Sequence, residues 1–369
     1  MPQVYAVAYT TDGTNYTTLS NVQSVTVNIG RQALVDSYNA STCQVLMRYP
    51  NGFASPITQL VSGTRIRISN TTSGKIIWFG RISDVDVSYA IPYASNVGPA
   101  DYMTITGEGA LAAWARANGN GYSMAAGTAT AQLSAAATSN GLSQTSTYSG
   151  SDNPTVAATT VSGSWGDWAN KFTATLNGRI REGNNQVVFV SKYSIGNSSI
   201  GFSDTLNNAS WQRYDVIDFR SLSQNYWTQV TVTPDSFGAA TVQTGASPYR
   251  TLTLSTYNSS TSQATDLANY LLGVYSAQTF QIGAISAIAE NQASFQLDAI
   301  GTGFWDCIGN TIAIQFRGQT YYGVIEGGTM TADPNTSRYT FYLSGSDLNS
   351  YLILNNPVLG KLNSNKLGY

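Results

Sequence analysis

Apolar and polar residues alternate with a period of two through most of the first hundred positions. Residues 24–29, SVTVNI, put Val25 and Val27 on one face of a predicted strand. Another strand begins at 44–47 and is stopped by the Tyr-Pro-Asn-Gly run at 49–52. Residues 63–82, GTRIRISNTTSGKIIWFGRI, predict a hairpin. Ile66 and Ile68 point one way, Arg65 and Arg67 the other, and a polar turn leads into an aromatic return strand. A further strand covers 101–107. In the return strand the apolar parity changes: Ile76, Trp78 and Ile82 are even, whereas Val85, Val87 and Tyr89 are odd. A strand changes parity only through an inserted residue, so the pattern predicts a β-bulge at 81–84, helped by Gly80. Bent, bulged strands belong to small barrels and sandwiches.

The period changes near Glu108. Residues 109–119, GALAAWARANG, predict a short helix. Residues 127–141 predict a second, with Thr128 as N-cap and Asn140-Gly141 as the stop. Residues 143–163 are rich in Ser, Thr and Gly and are expected to form a loop. Trp165, Trp168, Phe172 and Leu176 recur at helical spacing behind a Ser164/Asp167 capping box. Asn177-Gly178 closes that helix, and 179–181 with 186–190 make a hairpin around a Gly-Asn-Asn turn. A Trp stripe of this kind reads as core. From about Asp215 the alternation returns, at 228–233 (TQVTVT) and 251–255. One amphipathic helix interrupts it at 260–275, with Leu267, Leu271, Val274 and Tyr275 along one stripe. Strands are expected again at 293–297, 311–316, 321–326 and 338–343, with a turn at Asp333-Pro334-Asn335.

The opening hairpin has a counterpart 240 residues on. Gly63, Ile66, Ile68 and Gly80 match Gly309, Ile312, Ile314 and Gly323, and two aromatics precede the second glycine in each, Trp78-Phe79 and Tyr321-Tyr322. A duplicated hairpin and a chance match both produce this pattern. A duplication implies a mainly β fold with an α+β insertion: two similar small β-barrels flanking a helix-containing middle domain. The expected domains are 1–107, the first barrel; 108–210, the insertion; and 211–345, the second barrel with one packed helix; 346–369 is a C-terminal extension.

Composition narrows the function. Of 369 residues, 42 % are apolar and only 10 % charged, where about 25 % is ordinary. So sparse a charge suits a surface buried in a fixed assembly, and equally an extracellular β-rich protein. Net charge is −2 with no basic run, so there is no electrostatic footprint for nucleic acid. No apolar run reaches the roughly 18 residues of a membrane span, and the N-terminus lacks the signature of a secretory signal. Cys43 and Cys307 read as buried small hydrophobes, with one bridge open to them if the two halves meet. The chain has no histidine, which removes Ser-His-Asp and Cys-His triads and HExxH zinc sites. No phosphate-cradling loop and no metal-ligand spacing is present. Carboxylate pairs remain, as in glycosidases: Asp84/Asp86, Asp215/Asp218, or Glu108 with Asp101. The 23 tyrosines and 7 tryptophans suit a glycan-binding surface or a protein interface. Arg65 and Arg67 suit an ion pair with a neighbouring subunit, or charge guarding an edge strand.

The order of these segments resembles the tail-hub and minor tail proteins of long-tailed bacteriophages, relatives of the baseplate hub of contractile tails. The family's first-barrel strand and turn are matched by Ser41, Cys43, Val45, Met47, Asn51 and Gly52. Its hairpin is matched by Gly63, Ile66, Ile68, Phe79, Ile82 and Asp84. Its Trp-led helix and strand pair fall at 164–190. Its Tyr-Arg-x-Leu strand falls at Tyr249–Leu252, ahead of a helix carrying Ala264, Leu267, Ala268, Leu271, Leu272 and Tyr275. A second apolar hairpin follows at 309–314. The insertion is richer in Ser and Thr than the family's, and no enzymatic domain is appended. The resemblance implies a structural protein of the virion tail tip with no catalytic, cofactor-binding or metal-binding residues. It implies a homotrimeric ring, with the insertion directed away from the tube axis or towards the tip. The implied partners are further copies of itself, a distal tail adaptor, tube and tape-measure proteins. A receptor- or glycan-binding adhesin of the same virion is the rival reading, and a secreted glycosidase the third.

Overall fold

A computed structural model describes residues 4–49, 59–89, 100–150, 152–192, 196–220, 226–276, 281–294 and 297–345, with two short strands at 351–352 and 366–367. Residues 50–52 of the expected Tyr-Pro-Asn-Gly turn, and most of the C-terminal extension, lie outside the described residues.

Two β halves share one strand order. In the first, hairpin strand Arg65–Asn70 pairs with Ile76–Ser88, which pairs with Asp101–Glu108, then Thr42–Tyr49, then Val22–Gly30. In the second, Asn310–Phe316 pairs with Gln319–Ala332, then Ser337–Gly345, Gln281–Ile288 and Val216–Arg220. Both run in the same chain order and every one of these ladders is antiparallel. The fold is therefore mainly β, as the alternation predicts, with an α+β insertion between the halves.

The halves are not independent. Val22–Gly30 uses its second edge to pair with Gln319–Ala332, from Val25↔Ala332 to Gly30↔Gly327. That ladder merges the two halves into one 15-stranded sheet. Val27, Val45, Ile105, Ile312, Ile325 and Phe341 accordingly lie in one shared apolar core. Among the described residues no ladder joins the two ends of the sheet.

The insertion carries its own core. Helix Trp165–Thr175 begins at the predicted capping box, and Trp168 stacks on Phe172 with centroids 4.6 Å apart and meets Trp114 at 6.1 Å. Helices Leu111–Arg116 and Ala129–Ser139 and the ribbon Arg179–Gly183/Gln186–Val190 complete it. Residues 145–149, expected as loop, add a strand parallel to Gln186–Val190. Their sequence, TSTYS, has no apolar alternation, so only the ladder specifies them.

Helix Thr261–Tyr275 also departs from the expectation of a helix packed on the second barrel. It covers a small separate sheet, Gln229–Pro234 with Ala240–Gln243 and Thr251–Thr256, and Leu267 and Leu271 are buried there with Val230 and Val232. The strand expected at 293–297 does not form at its described positions. Ala293 and Ser294 lie in a bend, and Leu297 starts a 3-10 turn.

Candidate functional site

The two matched hairpins share one register around their isoleucines, although the first alone slips between Ile68 and Ser69. Ile66 faces Gly80 across its ladder, and Ile312 faces Gly323; Ile68 faces Trp78, and Ile314 faces Tyr321. All four isoleucines are buried in the common core. Gly63 and Gly309 hold φ of 90° and 84°, a region that only glycine adopts cheaply. Each donates its N–H to the equivalent carbonyl: Gly63 to Ile82 at 2.8 Å, Gly309 to Ile325 at 2.7 Å.

Each return strand then carries a bulge at the same place. The register slips between Ile82 and Asp84, and between Ile325 and Gly327, so that Ser83 and Glu326 are the inserted residues. The bulge lets the long strand change partners. Up to it, Gln319–Ala332 pairs with its own hairpin; beyond it, with Val22–Gly30. In the first half the corresponding edge, residues 84–88, has no ladder partner among the described residues. Nor does the outer edge of Val216–Arg220, the counterpart of Val22–Gly30.

Where the halves join, a buried charge cluster fixes the geometry. Glu326 accepts from Arg31 Nε at 3.0 Å, from Arg179 Nη2 at 2.6 Å and Nε at 3.1 Å, and from Ser344 Oγ at 2.6 Å. Arg31 also donates to the carbonyls of Asp36 and Gly178 and lies over the Tyr38 ring at 4.4 Å. Burial works against ionisation of Glu326, but Arg179 and Arg31 outweigh it and bring its carboxyl down to about 2. A carboxylate taking several charge-assisted bonds behaves this way. Neighbouring Arg181 bonds Asp306 at 2.8 Å and the Ile308 carbonyl at 2.6 Å. Glu182 accepts from the backbone N–H of Ser41 and Leu111, while burial pushes its carboxyl up. The ribbon Arg179–Gly183 is thus clamped to both halves. None of Arg31, Arg179 or Glu326 stood out in the sequence; the one signal was a lone carboxylate inside the apolar, glycine-flanked run GVIEGG.

The candidate carboxylates occupy separate places in the fold. Asp101 and Glu108 sit at opposite ends of one eight-residue strand, roughly 23 Å apart at the rise of a β-strand. Glu108 is held by Arg116. Asp215 is used as a cap, accepting from the Ile288 N–H at 2.6 Å and Asn291 Nδ2 at 3.3 Å. Asp84 and Asp86 lie exposed on one strand. Four of the seven tryptophans are internal, Trp78, Trp114, Trp165 and Trp168 all being at 1 % exposure or less, whereas Trp211, Trp227 and Trp305 are half-buried. Cys43 and Cys307 are buried free thiols. Arg65 and Arg67 do not guard a sheet edge, because their strand is covered on both sides by Tyr5–Thr10 and Ile76–Ser88. Arg67 lies over the Tyr16 ring at 4.1 Å.

No protein-family model and no curated protein sequence matches this chain. Solved structures do: tail proteins, one of them from a prophage, and a component of a type VI secretion system. The tail protein from Neisseria meningitidis superposes with a TM-score of 0.65 at 10 % identity, covering 92 % of this chain and 96 % of its own. The 43 kDa tail protein of prophage MuSo2 from Shewanella oneidensis gives 0.66 at 10 % identity, covering 93 % and 98 %. A component of the E. coli type VI secretion system, described as structurally similar to the T4 bacteriophage tail proteins gp27 and gp5, gives 0.51 at 10 %, covering 89 % and 74 %. The chain has the tail-hub fold over nearly its whole length.

Proposed function

We propose that this protein is a structural tail-hub subunit of a phage-like particle, located at the tail tip, where it forms a homotrimeric ring that joins the tube to the tip without catalysis. The domain limits follow from the same reading: 1–107 and 211–345 form the ring and 108–210 projects from it. Distal tail adaptor, tube and tape-measure proteins are its partners.

The observation that carries the ring is the half-used edge. Within one chain the outermost strand of the first half, Val22–Gly30, docks beyond the bulge of the second half. The same two elements recur with no ladder partner on that edge among the described residues: residues 84–88 beyond the first bulge, and Val216–Arg220 outermost in the second half. Repeating the intrachain docking between chains joins half to half head to tail. Rotational closure of such a contact gives a ring, and three chains supply six alternating halves to meet a six-fold tube.

The register follows from the pairing. Asp84 corresponds to Gly327, so Tyr89 corresponds to Ala332; Val45 and Ile285 pair with Ile105 and Phe341 on one side and with Val25 and Ile217 on the other, so Ile217 corresponds to Val25. Since Val25 faces Ala332, Tyr89 should face Ile217 of the next subunit. Tyr89 and Val216 are exposed at 61 % and 43 %, which suits residues at such a contact. A chain carrying Tyr89→Cys and Ile217→Cys, oxidised in assembled particles, should run as a covalent trimer. Monomers only, or a reconstruction with six copies per ring or one half outside it, would refute the reading.

A further inference from the structure

We propose that the cleft between the first hairpin and the insertion is a carboxylate-recognition site, in which Arg65 and Arg81 clamp an acidic side chain of a neighbouring protein. The two arginines stand directly opposite each other in an antiparallel ladder. Like charges so placed destabilise a sheet. Both line a cleft of about 370 Å³. Glu108 lies opposite Arg81 in the next ladder, but its carboxylate is engaged by Arg116. Among the described residues no carboxylate forms an ion pair with Arg65 or Arg81. The charge is left for something outside this chain's described residues.

The cleft is organised to receive it. Arg81 Nη1 donates to the Gly63 carbonyl and Nη2 to Asn185 Oδ1, both at 3.2 Å. A guanidinium fork held on two sides loses little freedom when it takes a carboxylate. Burial, and then the charge of Arg65, push the Arg81 pKa down, as expected of a cation lacking its counter-charge. Gln144 Oε1, in the same lining, is buried with no hydrogen-bond partner among the described residues, and Asn184 adds a second amide. Amides of this kind suit the backbone around an acidic side chain. A polyanion would need an extended basic track, whereas the lining holds three arginines and one glutamate.

The second hairpin supplies an internal control. Arg65 and Arg81 correspond there to Thr311 and Val324, which face each other in the same register. The hairpin geometry therefore does not require charge. The covering differs too: a Cβ on Gly309 would lie 3.3 Å from Arg181, whereas one on Gly63 would meet nothing within 4 Å. At the matched hairpin positions the first half presents two arginines to an open cleft, where the second presents Thr311 and Val324. In a ring of alternating halves every second position would bear a clamp, giving a six-fold surface a three-fold register. That last consequence rests on the ring reading; the clamp itself does not.

The test is calorimetric titration of the full chain at low ionic strength with a capped tetraglutamate peptide. Capped tetraglutamine, inorganic phosphate and a short single-stranded oligonucleotide are the comparisons. Tetraglutamate should bind and tetraglutamine should not. Arg65→Thr and Arg81→Val should each weaken binding by about tenfold or more, with melting temperatures equal to or above that of the parent. Arg81→Lys keeps the charge but loses the fork, and should restore only part. Equal binding by the variants, or variants that melt well below the parent, would overturn the proposal. Tighter binding of phosphate or oligonucleotide through the same pair would replace it with a polyanion site. Peptide binding without the interchain cross-link leaves the clamp standing and removes the ring; the cross-link without peptide binding does the reverse.

Discussion

Glu326→Gln tests the clamp that joins the two halves. The substitution keeps volume and removes the only charge that Arg31 and Arg179 share. The Glu326 side chain is 0 % exposed and those of Arg31 and Arg179 are 7 % and 4 %, so neither arginine recovers its hydration. Breaking a buried pair from one side costs about 3–5 kcal/mol. The pKa leads to a similar figure. A carboxyl lowered from 4.5 to about 2 corresponds to roughly 3 kcal/mol of linked stability. The folded value is the depressed one, so this contribution is complete above the unfolded pKa near 4.5 and is lost as pH falls towards 2. Urea unfolding of parent and variant, followed by tryptophan fluorescence, should therefore differ by about 3 kcal/mol at pH 7. The difference should hold to about pH 5 and shrink below it. Glu182 and Asp298, whose carboxyls burial pushes up, respond in the opposite sense but cancel between parent and variant. A difference below about 1 kcal/mol at pH 7, or one unchanged at pH 3, would refute this account of the junction.

Leu271→Ala should cost about 2–5 kcal/mol by opening a cavity under helix Thr261–Tyr275; a parent-like thermal melt would mean the stripe does not anchor that layer. Gly80→Ala should destabilise by about 1–3 kcal/mol or more, because the new Cβ would lie 2.2 Å from Trp78 Cη2 and 2.4 Å from the Glu108 carbonyl oxygen. Gly323→Ala should be far milder, since its nearest neighbour is the Leu343 side chain at 3.2 Å; equal losses in the two would show that the matched glycines serve the same steric need. Both cysteines should resist iodoacetamide in the native protein and react in urea, because burial pushes their thiols up; rapid native labelling would contradict their burial.

What the sequence determined is what its local chemistry encodes. Period-two alternation marks the strands, and the parity change at 76–89 locates the bulge, because an inserted residue is the only way a strand can change faces. Ser164 with Asp167, and Thr128, mark helix starts through bonds that span three residues. The matched glycines and isoleucines are legible for the same reason: each hairpin closes within about 20 residues. What only the tertiary structure decided lies between segments far apart in the chain. Glu326 meets Arg179 across 147 residues and Arg31 across 295, and nothing near any of the three announces the others. The helix at 261–275 shows its apolar face in sequence, but which layer it covers depends on strands whose Thr-rich alternation fits either. The merging of two halves into one sheet is likewise invisible locally, because a backbone edge presents the same N–H and C=O groups to any partner. Register, glycine clearance and the buried charge at the bulge choose among them, and those exist only once the chain has folded.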